Sequence, residues 1–412
     1  MAQEKQGSLR EIFTRDFLLI STINLAAFFG WQMCNIGMPM YVSQLGADAQ
    51  VVGLVTTLVT VAATVMRLFA GPLLDRFGRK GAMVGGFIVI VCAIVSYAVF
   101  PVVGVVLGVR LLHGMGWGLG STATSTTAAD IVPKKRFAEG MGYFATTNSI
   151  ASAFAPAVSI ELVQGPGAIY MLAVAVGCTV LALVLAIVQF SSGEKVSLER
   201  EGADEEPAEV PGSDGGKLQP AGSGFTWETI IEKRAIVPGL LMLLVNVGFG
   251  AIITFLALHG TSQGVASVSV YFVVYAVVTL VSRPLIGRLI DRYGYRMPAI
   301  LASLCSAGTL AFIGASSNTL MFALSGVLAG LGIGTSMGTF QAMAVAAVEP
   351  WRRGVATSTY YTLFDLGIAI GSLVSGMLAA QFGYSGMYYL VALCPVVAGI
   401  LSAIFVSGGK QR

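Results

Sequence analysis

Charge is what this sequence has least of. Only 11% of its 412 residues are Asp, Glu, Lys or Arg, against 55% hydrophobic. A water-soluble domain carries about 25% charged residues. The polar surface is too small to face water all round, and the mean hydropathy of +0.80 agrees. Histidine is scarce too, with 2 in the chain, His113 and His259. There is no Ser-His-Asp set, no cluster of metal ligands and no glycine-rich phosphate loop ending in Lys-Ser/Thr. These absences argue against an enzyme, against a bound metal or other cofactor, and against motion driven by the chain's own ATP hydrolysis. The 5 cysteines (Cys34, Cys92, Cys178, Cys305, Cys394) fall singly in apolar segments and read as small packing residues, not as a disulfide scaffold. Met1 to Asp16 is polar and mixed in charge, unlike a cleavable signal, so the first apolar run is expected to stay.

What is abundant is apolar length. About 20 apolar residues are needed to cross a bilayer core. Twelve stretches qualify: 17–43, 50–72, 81–100, 102–129, 137–163, 167–190, 235–259, 266–287, 298–316, 319–348, 355–380 and 385–407. The expected fold is an all-α membrane protein of twelve transmembrane helices. Of 24 Lys and Arg, only Arg67, Arg110 and Arg283 lie inside these stretches. The others occupy the two tails, alternate loops and a central segment; the opposite loops have none. Basic loops stay on the cytoplasmic side, so both termini are expected there, in a plasma membrane.

Residues 191–234 are rich in Glu, Asp, Pro, Gly and Ser and read as a flexible cytoplasmic linker, with a short interfacial helix from Trp227 to Arg234. The expected division is a tail at 1–16, a six-helix bundle at 17–190, the linker, a second bundle at 235–407 and a tail at 408–412. The two sets repeat. Arg67-x3-Gly71-x-Leu73-x-Asp75-Arg76-x-Gly78 returns as Arg283-x3-Gly287-x-Leu289-x-Asp291-Arg292-x-Gly294, offset by 216. Gly114, Gly116 and Gly118 return as Gly330, Gly332 and Gly334 at the same offset, and Pro133-Lys134-Lys135-Arg136 as Pro350-Trp351-Arg352-Arg353 at 217. Parallel six-span repeats with a substrate site between them describe one large transporter architecture.

These residues resemble the major facilitator superfamily. Gly71-Pro72-Leu73-Leu74-Asp75-Arg76-Phe77-Gly78-Arg79-Lys80 is similar to that family's signature loop between spans two and three, and Gly287 to Arg296 to its degenerate echo between spans eight and nine. Arg110-x3-Gly114-x-Gly116-x-Gly118-x-Gly120 resembles the span-four pattern of drug–proton antiporters. The span-five antiporter pattern is reduced: Pro156 is kept, while Ala151, Ala155 and Ser159 stand where the family often has glycine. The resemblance implies two pseudo-symmetric six-helix bundles that alternate access to a cavity lined by spans one, four, five, seven, ten and eleven.

The candidate residues carry competing readings. Asp75, Arg76, Arg79, Asp291 and Arg292, with Gly71 and Gly78, form a latch that holds the halves in one state, or simply anchor the basic side. Asp130 and Glu139 are candidate partners for those of the first half. Asp365, eleven residues into span eleven, is costly in a membrane and thus a candidate for proton binding, substrate pairing or a structural salt bridge; the repeat aligns it with Asn148, and Tyr361 lies one turn below. Arg110 faces the cavity, or is a buried arginine holding backbone carbonyls; His113 shares its face. Arg67 and Arg283 are expected one turn inside the cytoplasmic boundary, snorkelling or pairing there. Gln32, Asn35, Asn148 and Gln341 line a wet cavity or bridge helices.

The expectation is a secondary transporter, not an enzyme, that exports a small organic molecule in exchange for protons. Uptake of such a solute, proton-linked or facilitated, is the alternative, and a sensor that has lost transport a further one. Partners are that solute, protons and lipid, with no nucleic acid; a monomer suffices.

Overall fold

The computed structural model describes residues 11–200 and 231–406, apart from 134, 135, 266, 350 and 351. Helix accounts for nearly all of them, and no strand occurs among them. Lipid offers no partners for backbone N–H and C=O groups, and helices satisfy them internally. Eight helices are long and apolar enough to span, and two of these hold two spans each. We number the spans α1 to α12. α1 is Arg15–Gln44. Ala49–Val99 is one helical run broken at Gly78, giving α2 (49–77) and α3 (79–99). α4 is Val103–Ile131, α5 Phe137–Gln164 and α6 Ala168–Arg200. The second set is α7 Lys233–Ser262, α8 Val270–Tyr293, α9 Arg296–Ala315 and α10 Thr319–Ala346. Arg353–Val391 breaks at Gly383 into α11 (353–382) and the start of α12, which runs on to Phe405.

Local chemistry sets these ends. Thr14, Asp48 and Asn318 accept hydrogen bonds from Phe17, Val51 and Met321 N–H and cap α1, α2 and α10. Gly78, at φ 69°, turns the chain between α2 and α3 in a conformation that Cβ-bearing residues avoid. The polar run at the end of α4 suits a membrane because Ser121, Thr122, Thr124, Ser125, Thr126 and Thr127 each bond the carbonyl four residues back.

The repeated glycines are where each half is pinned. A Cβ on Gly114 would lie 2.8 Å from that of Ala62, one on Gly118 2.5 Å from the Ala63 carbonyl, and one on Gly116 3.0 Å from Ile90. In the second half Gly330 meets Val278, Gly334 meets Thr279 and Gly332 meets Ser306. Each partner is itself displaced by 216, so α10 wedges between α8 and α9 as α4 does between α2 and α3. One difference stands out. Gly330–Gly334 forms a π turn in α10, whereas α4 is α-helical throughout. The wider turn faces Val278 and Thr279, bulkier than Ala62 and Ala63.

Three expectations shift. The helix of α6 runs to Arg200, ten residues into the expected linker. α7 begins at Lys233 with Glu232 as its N-cap, so Lys233 and Arg234 belong to the span. Trp227 lies outside the described residues. α2 extends to residue 77, which puts Arg67 about 15 Å inside its helix end.

Candidate functional site

The halves meet along two flanks. On one, α2 packs on α11 through small residues: a Cβ on Gly53 would sit 2.5 Å from the Ser372 carbonyl, and one on Gly376 2.6 Å from that of Ala49. Thr57 Oγ1 donates to Ala369 O at 3.0 Å. Further in, Arg67 Nη1 pairs with Asp365 Oδ2. The Thr64 hydroxyl, which donates to Thr60 O, lies 3.3 Å from the same oxygen. On the other flank, Ser269 Oγ donates to Glu161 Oε1 at 2.7 Å and Gln164 Nε2 to Thr261 Oγ1 at 3.1 Å. In the middle, Thr254 of α7 meets Thr56 of α2 at 3.1 Å. Among the described residues, every hydrogen bond between the halves lies at, or on the Lys/Arg-free side of, the Arg67–Asp365 pair.

The basic face is different. Arg79 pairs with Asp130 and Arg136 with Glu139, both within the first half. Arg352 pairs with Glu232, and Arg234 lies 3.6 Å from Glu349, both within the second. The Arg234 backbone N–H, then the Arg352 side chain, hold the Glu232 carboxyl below its usual range. Asp75 has no ion pair among the described residues; Arg76 lies over the Phe77 ring at 5.5 Å and Arg292 over Tyr293 at 5.2 Å. A Cβ on Gly71 or Gly78 would meet nothing within 4 Å. The Asp291 and Arg283 side chains lie outside those described. The described loop residues Asp75, Arg76, Arg79 and Arg292 thus stand exposed, and among the described residues none is joined to the opposite half.

The other candidate residues divide by what they touch. Arg67 does not stop at the membrane boundary; it reaches across to Asp365. Arg110 does not face the space between the halves. It is fully buried inside the first bundle, where Nε donates to Val55 O at 3.0 Å. His113 is buried beside it, 3.2 Å from the Tyr97 hydroxyl, with Trp31 stacked on Trp117 at 4.6 Å. Asn148 is engaged within its own half, accepting from Asn24 Nδ2 at 2.6 Å. Gln32 reaches Ser152 at 3.4 Å, Asn35 is buried, and Gln341 is half-buried. Tyr361 packs with Tyr360 and Phe364 one turn from Asp365. Thr64 was not singled out by sequence, because a threonine in an apolar run carries no signal without knowledge of what it faces.

The Major Facilitator Superfamily model matches residues 20–274 and 240–411. The chain belongs to the major facilitator superfamily. It is 21% identical over 394 residues to the staphylopine export protein of Staphylococcus aureus, spanning 94% of this chain and 95% of that one. It is 25% identical over 428 residues to YddS of Bacillus subtilis, an uncharacterized MFS-type transporter, over 96% and 92% of the two chains. The solved structure of the nucleoside transporter NupG has a TM-score of 0.72 at 13% identity, over 96% of this chain and 100% of its own. A POT family transporter in complex with 5-aminolevulinic acid has 0.73 at 12%, over 95% and 96%. These structures show the fold: twelve helices in two six-helix bundles. This superfamily member is a multi-pass membrane transporter.

Proposed function

We propose that this transporter is a secondary active exporter of a small organic molecule, driven by protons moving the other way, with Asp365 as the proton-accepting residue. The Arg67–Asp365 pair carries the reading. Asp365 is the one mid-depth carboxylate among the described residues, and it ties α11 to α2 across the halves. Protonation cancels its charge and with it the attraction to Arg67. A group whose protonation loosens an inter-half contact couples proton uptake to rearrangement.

The basic face is taken as cytoplasmic by the distribution of Lys and Arg, in a plasma membrane, with both ends of the chain inside. With the Lys/Arg-free side joined and the basic-face pairs each internal to one half, the arrangement suits a carrier open toward the cytoplasm. The loops around Asp75–Arg76 and Asp291–Arg292 then close onto the opposite half when the cavity opens outward. The export activity in the name of the Staphylococcus aureus relative supports the direction. Both bundles lie in one chain, so a monomer suffices.

The test is proton movement in proteoliposomes loaded with a pH-sensitive dye, wild type beside Asp365→Asn, against lipophilic cations, organic acids and amino compounds. Proton flux triggered by one class in wild type and lost in the variant is the expected result. Substrate flux without proton movement, unchanged in Asp365→Asn, overturns it.

A further inference from the structure

The Arg67–Asp365 pair is only half used. Arg67 and Thr64 converge on one carboxylate oxygen, Oδ2, and among the described residues no donor reaches Oδ1. Arg67 contributes Nη1 alone, and no acceptor there meets its Nη2 or Nε. A forked, two-bond arginine–carboxylate contact would have engaged both groups fully. Both side chains keep accessible surface, 33% for Arg67 and 14% for Asp365.

The helical faces turn that surface toward the opposite half, away from the exposed apolar stripes. Arg67 shares a helical face with Thr60 and Thr56, and Thr56 meets Thr254 of α7 in the middle of the molecule. The exposed apolar stripe of α2, Val61, Val65, Leu68 and Phe69, lies on another face. Asp365 lies similarly on the side of α11 that carries Ser372, whose hydroxyl is 3.0 Å from Thr254, while Leu366 and Ile370 are exposed on the other side.

We propose that this pair is the recognition site for a zwitterionic head, an ammonium and a carboxylate held close together as in an amino acid or its conjugates. The ammonium docks on Asp365 Oδ1 and the carboxylate on the free Arg67 nitrogens. The proposal rests on the transport reading above and names its substrate class. The reason is electrostatic. A simple cation drawn to Asp365 would strand the arginine, and a simple anion on Arg67 would strand the aspartate; a charge without a partner at this depth is costly. A zwitterion neutralises both at once, so α2 and α11 can part without leaving either charge alone. Protonating Asp365 removes the ammonium's partner, which makes ligand and proton compete for one carboxylate.

The test is equilibrium binding to the purified full-length chain in nanodiscs at neutral pH. The probes are the common amino acids and dipeptides, each beside its carboxamide and its N-acetyl form, with tetraphenylphosphonium as a simple cation. The expected result is at least one zwitterion bound about tenfold or more tighter than both of its singly charged forms. Arg67→Gln then removes the preference for acid over carboxamide and keeps the need for the amine. Arg67→Lys restores the preference, which separates loss of recognition from loss of fold. Binding of tetraphenylphosphonium with no zwitterion bound, no zwitterion bound at all, or zwitterion affinity unchanged in Arg67→Gln overturns the proposal. Zwitterion selectivity without proton movement in liposomes would instead sink the coupling role and leave this site standing.

Discussion

Asp365 and Asn148 hold equivalent places in the two halves and do different things. Asn148 is tied to Asn24 inside its own bundle, whereas Asp365 reaches into the opposite one. Asn24→Ala is therefore expected to lower stability by about 0.6 kcal/mol, the average for hydrogen bonds between membrane helices, and to leave any proton movement intact. A thermal-shift measurement beside the liposome assay checks both. Glu232 gives a pH test. Its carboxyl is held below the ordinary glutamate value of 4.5, so the stability it adds is present above that pH and fades as pH falls through its lowered value. Glu232→Gln is expected to lower Tm at neutral pH, with the gap closing in acid. Sequence placed both Asp365 and Arg67 in apolar stretches, marked Asp365 as costly and expected Arg67 to snorkel or pair near the cytoplasmic boundary. It did not join them, because they stand 298 residues apart and no periodicity speaks to which face of α2 meets which face of α11.

At the scale of elements the glycines were the most legible feature. Their spacing alone announced close helix contacts, and a Cβ on Gly114 would lie 2.2 Å from the Val59 carbonyl. Gly114→Ala is expected to cost about 1–3 kcal/mol through overpacking. Gly71→Ala is expected to cost nothing in stability, since a Cβ there meets nothing within 4 Å; on the latch reading it slows transport instead. Unfolding and flux measurements on the same preparations separate the two. The extra helical turns of α6 beyond residue 190 were not legible, because Glu, Lys and Ser there match a linker as well as a helix that has left the membrane. The π turn of α10 was hidden as well: hydropathy does not report hydrogen-bond spacing.

At the scale of the molecule, the order of spans and the two-fold repeat were readable because lipid permits few alternatives. The state of the carrier was not, since it depends on which surfaces touch at a given moment. Contact between the halves on the Lys/Arg-free side makes a direct prediction. In a background without the 5 native cysteines, Glu161→Cys with Ser269→Cys replaces a 2.7 Å hydrogen bond between α5 and α8. A short bifunctional methanethiosulfonate, long enough to replace the Glu161 side chain, is expected to join the two cysteines and stop transport, and a reductant to restore it. Continued transport in the cross-linked protein would mean that this side never parts.

The π turn at Gly330–Gly334 leaves the repeat in phase, since Gly330 and Gly334 at its two ends both stand 216 residues beyond Gly114 and Gly118. The surplus residue of the second half lies further along, because Pro350 answers Pro133 at 217. From there on a residue finds its counterpart 217 positions back, and Asp365 therefore answers Asn148. The wider turn is a local fit to bulkier neighbours, with no bearing on which residues of the two halves correspond.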